Sequence, residues 1–372
     1  MEDIKMTAQK AQYAWLKPEL DAAFSAVMGS MDFTGSSQVA QLARQLENVL
    51  QVNIAVPCAS GTAALVLALK ALQLPAGAEV ILPAFADASL VKLLLGMGLI
   101  PVLADVQPGT FTLDAASVIA AITSATAAIL PVHLFGQCAA MAELLEVATK
   151  YKLWLLEDAT QAFGAVYTWP NGRSQSAGSL GHAAATAFYP AKPLLGEGEG
   201  AALLLNYPEL ASTFGLDMLH SLPALDGDAP ELNALQAVML EVKVKYIETF
   251  NAARQQIAAY YNKAFAQMPQ VQAPQRVPYS THTYQQYAIT VAPELRDALQ
   301  AHLRTHFIPS IVYYPQPLHL QAAFTESKNK QGDFPMAERL SQSILSLPMH
   351  SELKEEQLQY ICDNIQAFFA QV

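Results

Sequence analysis

Residues 153–164 read LWLLEDATQAFG. Four apolar residues, Leu153 to Leu156, run straight into two adjacent acids, Glu157 and Asp158. Ala159-Thr160-Gln161-Ala162-Phe163 follow, ending at Gly164. An apolar run without alternation predicts a strand buried on both faces, as in parallel sheets. Ligands of open α/β sheets bind beyond the carboxyl ends of such strands, so Asp158 is a candidate to meet a cationic ligand group. Gln161, three residues on, comes back to the same side of the following turn. Taken alone, Asp158 reads equally well as a helix-capping carboxylate.

Outward from this segment the pattern repeats. Apolar runs at 79–83, 100–105, 127–133, 183–188 and 201–205 predict further strands, and 62–72, 89–96, 115–122 and 139–151 predict the helices between them. Such alternation predicts a largely parallel sheet covered on both faces. Residues 232–267 read as one or more long helices, and 270–279 (QVQAPQRVPY), with two prolines, as a linker. Beyond it, strand-like 284–291 and 310–314 and helical 294–306, 335–344 and 354–369 predict a smaller α+β unit.

Composition narrows the function classes. The chain has 372 residues, 52% hydrophobic and 14% charged, with a net charge of −11. That excludes a disordered chain. It also argues against a nucleic-acid partner, because no basic surplus exists to neutralise phosphates. Cys58, Cys138 and Cys362 are far apart, and His220, His282 and His319 share no metal spacing, so no metal is expected. His133 reads as a hydrogen-bonded structural histidine. The start, MEDIKMTAQKAQYAW, lacks a signal-peptide core, and the most apolar window, 90–103, is too short to span a bilayer. The expectation is a cytoplasmic protein with no membrane partner.

Two other segments bear on chemistry. In CASGTAAL (58–65), Ser60-Gly61-Thr62 opens an apolar helix. Free N–H groups at a helix start suit an anion, although an ordinary Ser cap is the plainer reading. In AFYPAKPLLGEGEG (187–200), Lys192 sits among apolar and small residues. Partial burial would lower its pKa and free an amine for Schiff-base chemistry. An anion turn, a strand-end Asp and a downstream Lys, in that order, match what a pyridoxal-phosphate site requires.

On these segments, together with PVHLFG (131–136), EDATQAFGA (157–165), FYPAK (188–192), YYPQPLH (313–319) and Leu347-Pro348, the chain resembles the DegT/DnrJ/EryC1/StrS family of pyridoxal-phosphate sugar aminotransferases. The resemblance implies an α/β fold of type I: a large, mostly parallel α/β/α domain over 31–250 and a smaller C-terminal α+β domain over 251–372. An N-terminal segment, 1–30, would pack on the small domain. It implies Lys192 as the catalytic Schiff-base lysine and Asp158 as partner of the pyridine nitrogen. Gln161 would face the ring hydroxyl, Ser60, Gly61 and Thr62 would lie at the phosphate, and Tyr314 at the substrate. The expected reaction is transamination of a nucleotide-linked keto sugar, with glutamate or glutamine as donor, in a homodimer with shared sites.

Four positions depart from the family pattern. Ala187 stands where a phosphate-binding Ser is usual, and Asp87 where an aromatic ring would stack on the cofactor, with Phe85 close by. Ala229 and Glu231 stand where an Asn and an Arg are usual. Each lost hydrogen bond to a charged group removes roughly 1.5–3 kcal/mol of cofactor binding. Either the phosphate cup is rebuilt, from Thr186, Ser89, Tyr189 or the partner chain, or this is a diverged, weakly catalytic or non-catalytic member.

Overall fold

The computed structural model describes residues 3–7, 9–31, 33, 36–188, 200–207, 209–210, 231–324 and 329–371. In chain order the elements are α1 (Gln9–Ser30), α2 (Ser36–Leu50), β1 (Ile54–Cys58), α3 (Gly61–Ala71), β2 (Glu79–Pro83), α4 (Ser89–Gly96) and β3 (Ile100–Ala104). Then come α5 (Ala115–Ala121), β4 (Thr126–Ile129), α6 (Met141–Tyr151), β5 (Trp154–Asp158), a short hairpin of β6 (Val166–Thr168) and β7 (Ser174–Ser176), β8 (Ala183–Ala187) and β9 (Ala201–Leu205). The rest is α7 (Ala234–Val244), α8 (Ile247–Phe265), β10 (Tyr287–Thr290), α9 (Pro293–Thr305), α10 (Pro335–Ser343), β11 (Ile344–Leu347) and α11 (Glu355–Phe369).

Seven strands form one mixed sheet in the order β1-β9-β8-β5-β4-β2-β3. The four pairings from β8 through β5, β4 and β2 to β3 are parallel. The two at the other edge, β8–β9 and β9–β1, are antiparallel. The parallel strands are apolar because both faces are covered. On one face lies α3, whose sequence GTAALVLALKA is apolar nearly all round and is buried accordingly. The other face carries α6, packed on Ile81, Ile129 and Leu155, and α2 with α7, packed on Ala184, Ala202 and Leu204.

Sequence expectations differ from the structure in three instructive places. Strand β1 contains Pro57, which argues against a central strand, but β1 is the sheet edge, where a missing donor is tolerated. Residues 310–314 do not form a strand. Only Ile311 pairs, through a single bridge to Ser346, and Tyr314 turns to φ 61 just before Pro315. The partner of β10 is instead β11, an apolar ILSL run that follows α10 without a break.

A separate core gathers around β10 and β11, with Ile257, Tyr261, Leu299, Leu303, Ile361 and Ile365 from α8, α9 and α11. Ile4 joins that core. Helix α1 packs instead along α7 and the start of α8, through Leu16, Leu20, Met239, Val242 and Phe250. Helix α8 runs unbroken across position 250.

Candidate active site

A cleft of about 440 Å³ opens at the carboxyl ends of the parallel strands. Ser60, Gly61, Thr62, Asp158, Gln161 and Tyr314 all line it. Lys192 lies outside the described residues, as do Tyr189 and Ala229. The two stems of its segment are described. Ala187 and Gly200 line the cleft, and the Phe188 N–H donates to the Gly200 carbonyl at 2.6 Å.

The helix start is built by its cap. Ser60 sits in extended geometry (φ −145°, ψ 159°), and its Oγ accepts from the Ala63 N–H at 3.2 Å. The N–H groups of Gly61 and Thr62, in the first turn, have no intrahelical acceptor and stand at the cleft. A methyl added at Gly61 would lie 3.4 Å from Ala187 Cβ and 3.6 Å from Thr160 Cγ2, so glycine keeps that groove open.

Asp158 ends β5, which pairs Asp158 with Ala185 of β8. Its Oδ1 accepts from the Thr160 N–H at 3.0 Å. Gln161 is fixed at both ends. Its Oε1 accepts from the Phe135 N–H (3.0 Å), which turns Nε2 toward Tyr314 Oη (3.3 Å). Tyr314 packs edge-on against Phe85, with centroids 5.3 Å apart. Burial pushes its phenol well above the ordinary range, and Asp87 and Asp158 add to that.

The departures resolve unevenly. Asp87 and Ala187 both line the cleft. Phe85 is fully buried and serves as a prop for Tyr314 rather than as a cleft wall. Ser89 lines the cleft. Thr186 does not: strand alternation puts Ala187 on the α3 face and Thr186 on the opposite one, where its Oγ1 is buried with no partner. Glu231 is exposed and bridges Cys58.

His133 is structural. Its Nδ1 accepts from the Ala139 N–H (3.2 Å), so Nε2 carries the proton and donates to Glu157 Oε2 (2.8 Å). Glu157 also accepts from the N–H groups of Gly178, Leu180 and Gly181. Among the described residues no cluster of three or more His, Cys, Asp or Glu could hold a metal ion. No described helix is long and apolar enough to cross a membrane.

Sequence reasoning missed one wall of the cleft. Gln285 and Gln286, both buried, line it alongside Tyr313. Gln286 Nε2 donates to Tyr313 Oη at 3.3 Å. The signal was present: two adjacent glutamines inside an otherwise apolar strand-like run, TYQQYAI (283–289).

The DegT/DnrJ/EryC1/StrS aminotransferase family matches residues 15–366. The chain is 36% identical over 374 residues to the pleiotropic regulatory protein of Geobacillus stearothermophilus, covering 99% of both. It is 33% identical over 359 residues to UDP-2-acetamido-2-deoxy-3-oxo-D-glucuronate aminotransferase of Pseudomonas aeruginosa, covering 95% of this chain and 97% of the relative. Among solved structures, DesV of Streptomyces venezuelae in complex with a ketimine intermediate matches with a TM-score of 0.92 at 31% identity, covering 100% of both chains. The fold is thus that of the pyridoxal-phosphate aminotransferases. With the family match spanning nearly the whole chain, this protein belongs to the DegT/DnrJ/EryC1/StrS aminotransferase family, whose members depend on pyridoxal 5'-phosphate.

Proposed function

We propose that this chain moves an amino group from glutamate or glutamine to a keto sugar linked to a nucleotide. One observation carries the reading. The helix start at Ser60–Thr62, the carboxylate of Asp158 and the amide of Gln161 meet in a single cleft, and both stems of the segment carrying Lys192 line its wall. The P. aeruginosa relative, by name a nucleotide-sugar aminotransferase, supports the substrate class.

The donor set fits pyridoxal phosphate. The groove kept open at Gly61 and the first-turn N–H groups suit its phosphate. Asp158 would hold a proton on the ring nitrogen, and Gln161 Nε2, its orientation set by Phe135, would donate to the ring oxygen. When bound, the cofactor supplies an electron sink that carries the amino group between substrates. Lys192 is the amine we assign to holding the cofactor and to moving the proton at the reacting carbon. We take the working form to be a homodimer in which both chains complete each site.

Purified protein titrated with pyridoxal phosphate should gain a visible absorption band that the Lys192→Ala variant lacks. With a nucleotide-linked keto sugar and glutamate it should form an amino sugar. A colourless protein that gives no spectral response overturns the assignment. A second reading, a diverged member that holds its cofactor weakly, has its own support: Asp87 and Ala187 line the cleft, and Thr186 faces away from it. It predicts that Asp87→Asn and Ala187→Ser each tighten cofactor binding.

A further inference from the structure

An amide has two ends of similar size and opposite hydrogen-bonding sense, so it serves a ligand only if something fixes which end faces it. For Gln161 the fixing group is one backbone donor. The Phe135 N–H can pair only with Oε1, at 3.0 Å, which leaves Nε2 for the cleft side, where Tyr314 Oη stands 3.3 Å away. Phe135 aims that N–H from an unfavourable conformation. Its backbone is left-handed (φ 56°, ψ 10°), which a bulky aromatic residue rarely adopts. Strain of this kind persists only where the surroundings hold it.

The surroundings are the segment 283–286, which leads into β10. The Gln286 N–H donates to the Phe135 carbonyl at 3.4 Å. The next carbonyl, that of Gly136, accepts from the Thr283 N–H at 2.8 Å and from Thr283 Oγ1 at 3.3 Å. Gly136 sits at φ 104°, and a Cβ there would fall 2.4 Å from Thr283 Oγ1, 2.9 Å from the Tyr284 nitrogen and 3.0 Å from the Gln285 nitrogen. The last two are backbone atoms, so no side-chain rotation relieves the collision. The segment is anchored from behind by the buried guanidinium of Arg254, whose Nη1 donates to the carbonyls of Tyr284 (3.0 Å) and Met349 (3.3 Å). The Phe135 ring adds its own hold, buried against Phe111 and Tyr313 at centroid distances of 6.0 and 6.2 Å.

Resting on the pyridoxal-phosphate reading above, we infer that Gly136 and Thr283 are positioning residues for the cofactor. Neither is among the described lining residues of the cleft. Together they clasp Phe135 in the conformation that turns Gln161 Nε2 toward the ring oxygen. The test is a double-mutant cycle on the full chain, read by calorimetry with pyridoxamine 5'-phosphate, which carries the ring oxygen and binds without a bond to Lys192. Gly136→Ala should weaken binding roughly tenfold, as Gln161→Ala should, and the two together should lose hardly more than either alone. Thr283→Val, which removes the hydroxyl bond, should weaken binding about threefold, whereas Thr283→Ser should stay within about twofold of the unsubstituted chain. Should Gly136→Ala fail to fold, Thr283→Val takes its place in the cycle. Unchanged affinity in the folded variants, or a loss that adds in full to that of Gln161→Ala, overturns the inference and leaves the cofactor reading standing. An unsubstituted chain that binds no pyridoxamine 5'-phosphate overturns the cofactor reading itself, and this inference with it.

Discussion

Glu157 and Asp158 are neighbours at the end of one strand, and they lead opposite lives. Alternation along β5 turns their side chains to opposite faces of the sheet. Glu157 is fully buried, and its two oxygens are saturated by His133 Nε2 and the N–H groups of Gly178, Leu180 and Gly181. Asp158 faces the cleft with one backbone donor, Thr160, on Oδ1. A carboxylate that has spent its lone pairs on the fold holds the fold. One with acceptor capacity left over can serve a ligand. The same contrast separates sealed His282 from the open cleft wall a few residues on. His282 is stacked on Tyr284 at 3.9 Å, with its Nδ1 accepting from the Tyr284 N–H.

The contrast breaks most sharply at Glu157. Glu157→Leu would leave four buried donors without an acceptor, at a cost of about 3–5 kcal/mol in urea unfolding. If that variant unfolds with wild-type stability, Glu157 is not structural. Next comes pH. Burial, with Arg276 adding to it, lowers His282 from its ordinary 6.5 to about 3, so the folded state keeps it neutral. The unfolded chain takes up the proton below about 6.5, so stability is full above that pH and falls as the pH drops toward 3. The loss from His282 should be about 4–5 kcal/mol at most across that window, and His282→Asn, which keeps an acceptor, should flatten the slope.

On the cleft side, Asp158→Asn should change stability by less than about 1 kcal/mol, because Asn can still accept from Thr160. Transamination should nevertheless fall about 100-fold, equivalent to roughly 2.7 kcal/mol. A variant that loses stability and activity in step would erase the distinction from Glu157. The smallest effect should come from Tyr314→Phe. It removes one hydrogen bond to Gln161 and keeps the edge-on packing on Phe85, so cofactor affinity should weaken by about 0.5–1.5 kcal/mol in a spectral titration.

Much of this was legible in the chain because local rules and global fold agree. Strands 79–83 and 201–205 and helix 89–96 were read to the residue, since apolar runs bounded by turn signals leave little choice. Strand β1 is not among the predicted strands; it carries Pro57, and only the sheet order reveals that β1 is an edge, where a missing donor is tolerated. Strand 310–314 was misread because a β-branched and aromatic run has strand propensity, which tertiary contacts at Tyr314 override. The wall made by Gln285 and Gln286 stayed invisible because nothing local says that residues over a hundred positions from Asp158 will face it.

The order of residues alone determined which chemistry was available: a capped helix start, a strand-end Asp, a glutamine one turn on and a lysine downstream, in the order that pyridoxal phosphate needs. Period and polarity act locally, so they can be read locally. Only the packed structure decided which of two adjacent acids is sealed, that Ala187 rather than Thr186 meets the cleft, and that Gln285 and Gln286 line the same cleft as Asp158. Those outcomes depend on which sheet face each side chain occupies and on what a distant segment lays across it, and neither is written in the neighbouring residues.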